Sequence, residues 1–150
     1  MKALVLCGGL PQIALVQELK RRGIQAMLAD MNPLAPAVPY ADKFFQVSTL
    51  DIDGVRKVVQ EESVDFIISV CADQMILTAA KVSEDLYLPC YIDYQTARNV
   101  SSKEYMKRIF VENGIPTSKY IIRESITESD IEGLAFPLIV KPVDSYSSRG

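Results

Sequence analysis

Histidine is absent from the whole 150-residue chain. That removes serine–histidine–aspartate and cysteine–histidine catalysis from this segment, together with histidine-rich metal sites. Cysteine is scarce. Cys7, Cys71 and Cys90 make an odd count with no C-x-x-C spacing, and they read as buried cytosolic thiols rather than a disulfide framework. Long apolar runs are missing too. The apolar opening, residues 1–6, is cut by Gly8 and Gly9, too early for a signal peptide or a spanning helix. Val5-Leu6-Cys7 lacks the hydrophobic stretch and the small residue that a lipoprotein cleavage site needs. No charge of one sign dominates: Lys+Arg number 16 and Asp+Glu 19, for a net charge of −3 without acidic or basic tails. A nucleic acid or an anionic membrane would need a basic face, so neither is the expected partner. The expected location is cytoplasmic.

What is present is a chain with 49% hydrophobic residues, ample for a core, and long enough for one domain or a small domain plus the start of a second. Residues 3–6 form an apolar run closed by Gly8-Gly9, as a buried strand would be. Pro11 suits the first turn of a helix whose stripe is Ile13, Leu15, Val16 and Leu19, with Lys20 to Arg22 at its cation-favouring end and Gly23 beyond. Residues 24–29 then predict a second strand ending at Asp30, parallel to the first by right-handed crossover. Pro33, Pro36 and Pro39 make the next stretch irregular. A third strand is expected at 44–47, a helix capped by Asp51 and faced by Val55, Val58 and Val59, and a fourth strand at 65–70. A helix capped by Asp73 follows, with Ile76, Leu77, Ala80 and Leu86 inward, and a short strand at 89–92. The alternation predicts an α/β fold, a doubly wound, Rossmann-like parallel sheet.

The character changes near residue 100. Ser101 and Glu104 have capping-box spacing for a helix running to about Asn113, stopped by Gly114 and Pro116. Strands are expected at 120–122 and 138–140, with a short helix at 127–132 between them. The expected division is 1–95 and 96–150.

Three places can carry chemistry. Gly8-Gly9 sits where open α/β sheets bind ligands, outside the carboxyl ends of the strands. It lacks G-x-G-x-x-G, and it serves equally well as a tight turn. Asp30 stands where a dinucleotide enzyme would hold a ribose. Asp73 is read first as a helix cap, on the same sheet edge. The third place is the end of the chain. Lys103 lies in a helix first turn, where the dipole disfavours a cation unless an anion is bound. Lys141 ends an apolar run, and Ser145, Ser147, Ser148, Arg149 and Gly150 follow, small residues that let backbone N–H groups approach a polyphosphate. The run is not a Walker A loop. Because the sequence ends inside this loop, the nucleotide site is expected to be incomplete in this segment.

The order and spacing of these pieces resemble the ATP-grasp family. The stretches that carry the resemblance are Ser102-Lys103 through Gly114-Ile115-Pro116-Thr117, then Phe136-Pro137-Leu138-Ile139-Val140-Lys141-Pro142 and Ser147-Ser148-Arg149-Gly150. Asp30, Asn32-Pro33, Ala35-Pro36-Ala37 and Tyr40-Ala41-Asp42 look like the same region of carbamoyl phosphate synthase large chains, biotin carboxylases and purine-pathway carboxylases. The resemblance implies a pre-ATP-grasp domain followed by part of a small α+β lid. It implies ATP phosphate contacts at Lys103 and Lys141, a closing loop at Ser145 to Gly150, and substrate contacts near Gly8, Gly9 and Asp73. It also implies MgATP-driven activation of a carboxylate as an acyl phosphate, attacked by an amine or other nucleophile, with the Mg2+ ligands and catalytic residues beyond residue 150. Small molecules would be the partners, and a homodimer is compatible with such a domain. Two rivals stay open at this point: a nucleotide- or dinucleotide-binding module without ligase chemistry, and a scaffolding domain.

Overall fold

The structure, a computed structural model, describes residues 1–143. The expectations for Ser145, Ser147, Ser148, Arg149 and Gly150 lie outside the described residues. The chain divides into two compact units, Met1–Ala97 and Arg98–Gly150.

In the first unit, strands β1 (Lys2–Leu6), β2 (Gln25–Asp30), β3 (Lys43–Gln46) and β4 (Phe66–Ile68) make one sheet in the order β3-β2-β1-β4. All neighbours are parallel. β1 is covered on both edges and both faces, so Ala3, Leu4, Val5 and Leu6 are all fully buried. Such a strand reads as an unbroken apolar run instead of an alternating one. The pleat then sorts its side chains. Ala3 and Val5, with Ala26 and Leu28 of β2, pack under Val16 and Leu19 of helix α1 (Leu10–Arg21). Leu4 and Leu6, with Met27, Ala29 and Ile67, pack under α2 (Ile52–Glu62) and α3 (Asp73–Asp85). One helix on one face and two on the other reverse the winding between β1 and β4, which makes the carboxyl ends of those strands the topological switch point.

Local chemistry sets the helix ends. Asp51 accepts from the Gly54 amide at 3.0 Å and caps α2. Gly23, with φ +73, follows the C-cap of α1 in the left-handed conformation that favours glycine.

Several expectations are corrected. α3 begins on Asp73 itself, with Ala72 as its N-cap, so Asp73 is a first-turn residue and not the cap. Met75, Ala79 and Val82 lead its inward face; of the residues expected there Ala80 is buried and Leu86 packs against the core, while Ile76 and Leu77 are only half-buried. Residues 89–92 make no ladder with β4. Pro89 has no N–H to donate, and the segment is tied to the sheet end by the Tyr91 hydroxyl, which donates to the Ser69 carbonyl at 3.3 Å. A helix that the sequence reading missed, α4 (Tyr94–Ser101), fills the junction. The Asp93 carboxyl starts it, accepting from the Thr96 hydroxyl at 2.6 Å and its amide at 2.8 Å, bonds that hold the acid below its usual range. Because Ser101 closes α4, the cap of α5 (Lys103–Glu112) passes to Ser102.

The regular elements in the described part of the second unit are helices: α4 ends in it, and α5 and α6 (Glu128–Ile131) follow. Residues 120–122 and 138–140 are in no ladder, against the two strands expected there. A strand needs a partner for its backbone, and none of the described residues supplies one. Lys107 ties residues 117–118 to α5 instead, donating to Thr117 Oγ1 at 2.5 Å and Ser118 Oγ at 2.8 Å. Among the described residues 98–143 none is buried, and Phe136, Ile139 and Val140 are about four-fifths exposed, at 78%, 87% and 82%. Few buried contacts mean low local opening free energies. In hydrogen exchange the α5 amides should therefore be less protected than those of β1 by roughly a hundredfold or more. Equal protection would contradict this account.

Candidate functional site

At the switch point the chain leaves β1 through Cys7, which takes a left-handed φ of +73, and leaves β4 through Cys71, at φ +53. Four elements converge here. The Gly8 amide donates to Asp30 Oδ2 at 2.7 Å, and the other oxygen of Asp30 accepts from the Asn32 amide at 2.8 Å. The Gly8 carbonyl accepts from the Ala37 amide at 2.8 Å. The two backbone groups of Gly8 are thus engaged by the last residue of β2 and by the proline-rich loop that follows it. Gly9 is the N-cap of α1, a helix start with no side-chain cap and no acidic residue in its first turn, and it is therefore electropositive.

Gln12, nearly fully buried, donates from Nε2 to the Val70 carbonyl at 2.6 Å and so spans the crevice between the ends of β1 and β4. The sequence reading missed this residue. Its signal is positional: Gln12, Val16 and Leu19 lie at i, i+4 and i+7 on the inward face of α1. Across the crevice, exposed Asp73 opens α3. Gly8, Gly9 and Asp73 therefore share the carboxyl edge of the sheet.

Cys7 lies 3.8 Å from Thr49 Oγ1. Burial pushes its thiol up, Thr49 pulls it back in part, and the Asp30 charge adds to the rise. Cys7 packs against the core under α2 and α3. Asp30 also has a structural task, since each of its oxygens accepts from a backbone N–H.

Two other candidate residues, Lys103 and Lys141, belong to the second unit. Lys103 is the first residue of α5, and both its amide, at 3.3 Å, and its ammonium, at 3.1 Å, donate to the Val143 carbonyl. The start of α5 is thereby joined to the segment carrying Lys141, two positions earlier, whose side chain is exposed. A hollow of about 450 Å3 in this unit lies elsewhere, lined by residues such as Val111, Tyr120, Asp130 and Leu134. No group of three or more metal-ligating side chains occurs among the described residues. Nor does any of their helices have the length and apolarity to cross a membrane.

Comparison with known proteins places the fold. A formate-dependent phosphoribosylglycinamide formyltransferase of Parabacteroides distasonis is 31% identical over 97% of the chain, and the chain covers 38% of that protein. The enzyme of the same name from Azoarcus is 32% identical, again with 97% and 38% covered. The chain thus spans little more than a third of the length of these curated relatives. Among solved structures, an L-amino acid ligase from Bacillus licheniformis superposes with a TM-score of 0.75 at 24% identity, over 96% of this chain and 37% of the other. An N5-carboxyaminoimidazole ribonucleotide synthetase from Thermotoga maritima gives 0.73 at 22% identity, over 91% and 37%. At these identities the likeness is one of fold. The family model described as "PylC-like, N-terminal domain" matches residues 4–88, which span the sheet and the helices on both its faces. The chain belongs to the PylC-like N-terminal domain family, the pre-domain of ATP-grasp enzymes.

Proposed function

We propose that this chain is the N-terminal part of a cytoplasmic ATP-grasp ligase that activates a carboxylate as an acyl phosphate for attack by an amine or another nucleophile. The observation that carries the reading is the junction in the second unit, where Lys103 grips the Val143 carbonyl beside Lys141. Residues 96–150 would then begin the ATP-grasp domain. Lys103, Lys141 and the stretch Ser145 to Gly150 would hold the triphosphate, with Mg2+ ligands supplied from outside this segment. The residues present fit the group: ammonium ions and a helix start neutralise phosphate charge without needing a histidine.

ATP supplies the phosphoryl group. A carboxylate oxygen attacks the terminal phosphorus, and the bond from that phosphorus to the oxygen of departing ADP breaks. The nucleophile's lone pair then bonds the acyl carbon, phosphate leaves, and the nucleophile gives up a proton. Gly9, supported by Gly8, and Asp73 would receive the carboxylate or the acceptor at the sheet edge. Small molecules would be the partners. The missing G-x-G-x-x-G after the first strand counts against the dinucleotide-binding alternative.

The test uses the protein extended to its natural stop. It is mixed with MgATP, one of a panel of small carboxylates (formate, acetate, glycine, L-alanine), and hydroxylamine or an amine. ADP that requires a carboxylate, together with hydroxamate when hydroxylamine is the nucleophile, is the expected result. ATP binding with no ADP from any pair would put the binding-module reading first.

A further inference from the structure

We propose that Asp30 is a positioning residue for the non-nucleotide substrate, holding the Gly8-Gly9 turn so that the start of α1 faces the switch-point crevice. The proposal rests on the reading that the carboxylate is received at this turn. Gly8 has no freedom of its own: its amide goes to Asp30 and its carbonyl to Ala37. A Cβ at Gly8 would lie 2.7 Å from Ala35 Cβ, so the loop after β2 also presses on it directly. That loop is organised from the same carboxylate. Asp30 Oδ1 accepts from the Asn32 amide at 2.8 Å, and Asn32 in turn accepts from the amides of Leu34 and Ala35, each at 3.0 Å. One side chain therefore joins the ends of β1 and β2. The next residue along from Gly8, Gly9, is the uncapped start of α1.

Chemistry makes the charge on Asp30 essential to this brace. A carboxylate accepts on both oxygens, whereas an amide accepts on one and donates on the other. In Asp30→Asn, either Gly8 or Asn32 faces an N–H with its own N–H. The turn then loses a charge-assisted hydrogen bond while the core packing is kept.

The experiment compares the extended protein with its Asp30→Asn variant, using formate, acetate, glycine and L-alanine as probes. KM for the carboxylate that supports ADP formation should rise about tenfold or more, as loss of one such bond implies. KM for ATP should stay within about twofold, since Lys103 and Lys141 lie in the other unit. The same carboxylates are titrated into both proteins labelled with 15N-glycine. The Gly9 amide should shift in the parent and shift markedly less in the variant. An unchanged carboxylate KM, or a parallel rise in both KM values, overturns the proposal. If the parent makes no ADP with any probe, the ligase reading fails by itself. Asp30 is then judged on the Gly9 amide, where equal shifts, or none in either protein, overturn its role.

Discussion

Replacing Lys141 with alanine in the extended protein should lower kcat/KM for ATP by roughly a hundred- to a thousandfold, the usual loss when one preorganised charge-stabilising group is removed. The fold should hardly notice. Lys141 is exposed, and surface substitutions away from caps and networks stay within about 0.5 kcal/mol. Unchanged thermal stability with collapsed ATP use is therefore the signature of a phosphate ligand. Lys141→Arg should keep part of the activity, because it keeps the charge but changes the hydrogen-bond geometry. Lys103→Ala should act differently. It removes the ammonium from the Val143 carbonyl, so it should loosen the terminal segment as well as weaken ATP binding. An enzyme that uses ATP normally without the Lys141 ammonium would remove the nucleotide role from this segment and favour the scaffold reading.

The second large effect is structural. Gly8→Ala places a Cβ 2.7 Å from Ala35 Cβ, 3.3 Å from Leu28 Cδ2 and 3.4 Å from Asp30 Oδ2. Two of these neighbours cannot swing away cheaply. Ala35 has no rotamer to change, and Leu28 is fully buried in β2. Overpacking of this kind costs about 1–3 kcal/mol, and the hydrogen bonds from Gly8 to Asp30 and Ala37 would be disturbed with it. A fall in Tm of roughly 5–15 °C should follow in thermal unfolding monitored by circular dichroism, given the size of the first unit. Gly133→Ala serves as the control, since a Cβ there meets nothing within 4 Å. Equal melting of the two variants would mean that the turn is looser than the structure describes.

Much of the first unit was legible because its elements satisfy themselves locally. The run at residues 3–6, the Val55, Val58, Val59 stripe and the Asp51 cap each name their element without help from distant residues. Legibility failed where two elements competed for one residue. Ser101 could open one helix or close another, and the Asp93 cap of α4 decided it, passing the start of α5 to Ser102. It failed again at 89–92, 120–122 and 138–140, whose apolar residues fit strands but whose backbones find no partner among the described residues. Apolar content states a preference for burial; a ladder also needs a neighbour.

The candidate site divides along the same line. Residue types and their order, Lys103, Lys141 and the glycines after the first strand, were in the sequence, because charge and the lack of a Cβ belong to the residue itself. The parallel doubly wound sheet was there as well, since its periodicities and crossover handedness follow from local geometry. What Asp30 does was not there. As a lone acid after a strand it reads as a ribose ligand, and only the return of the proline-rich loop to Gly8 turns it into a brace. Gln12 likewise looks like a polar residue on a helix until β4 ends beside it and offers the Val70 carbonyl. Nor did spacing alone join Lys103 to the segment after Lys141, since that contact closes over 40 residues. Hydrogen bonds between residues far apart in sequence exist only once the chain has folded, so the tertiary structure alone could decide which polar groups brace the site and which stay open to a ligand.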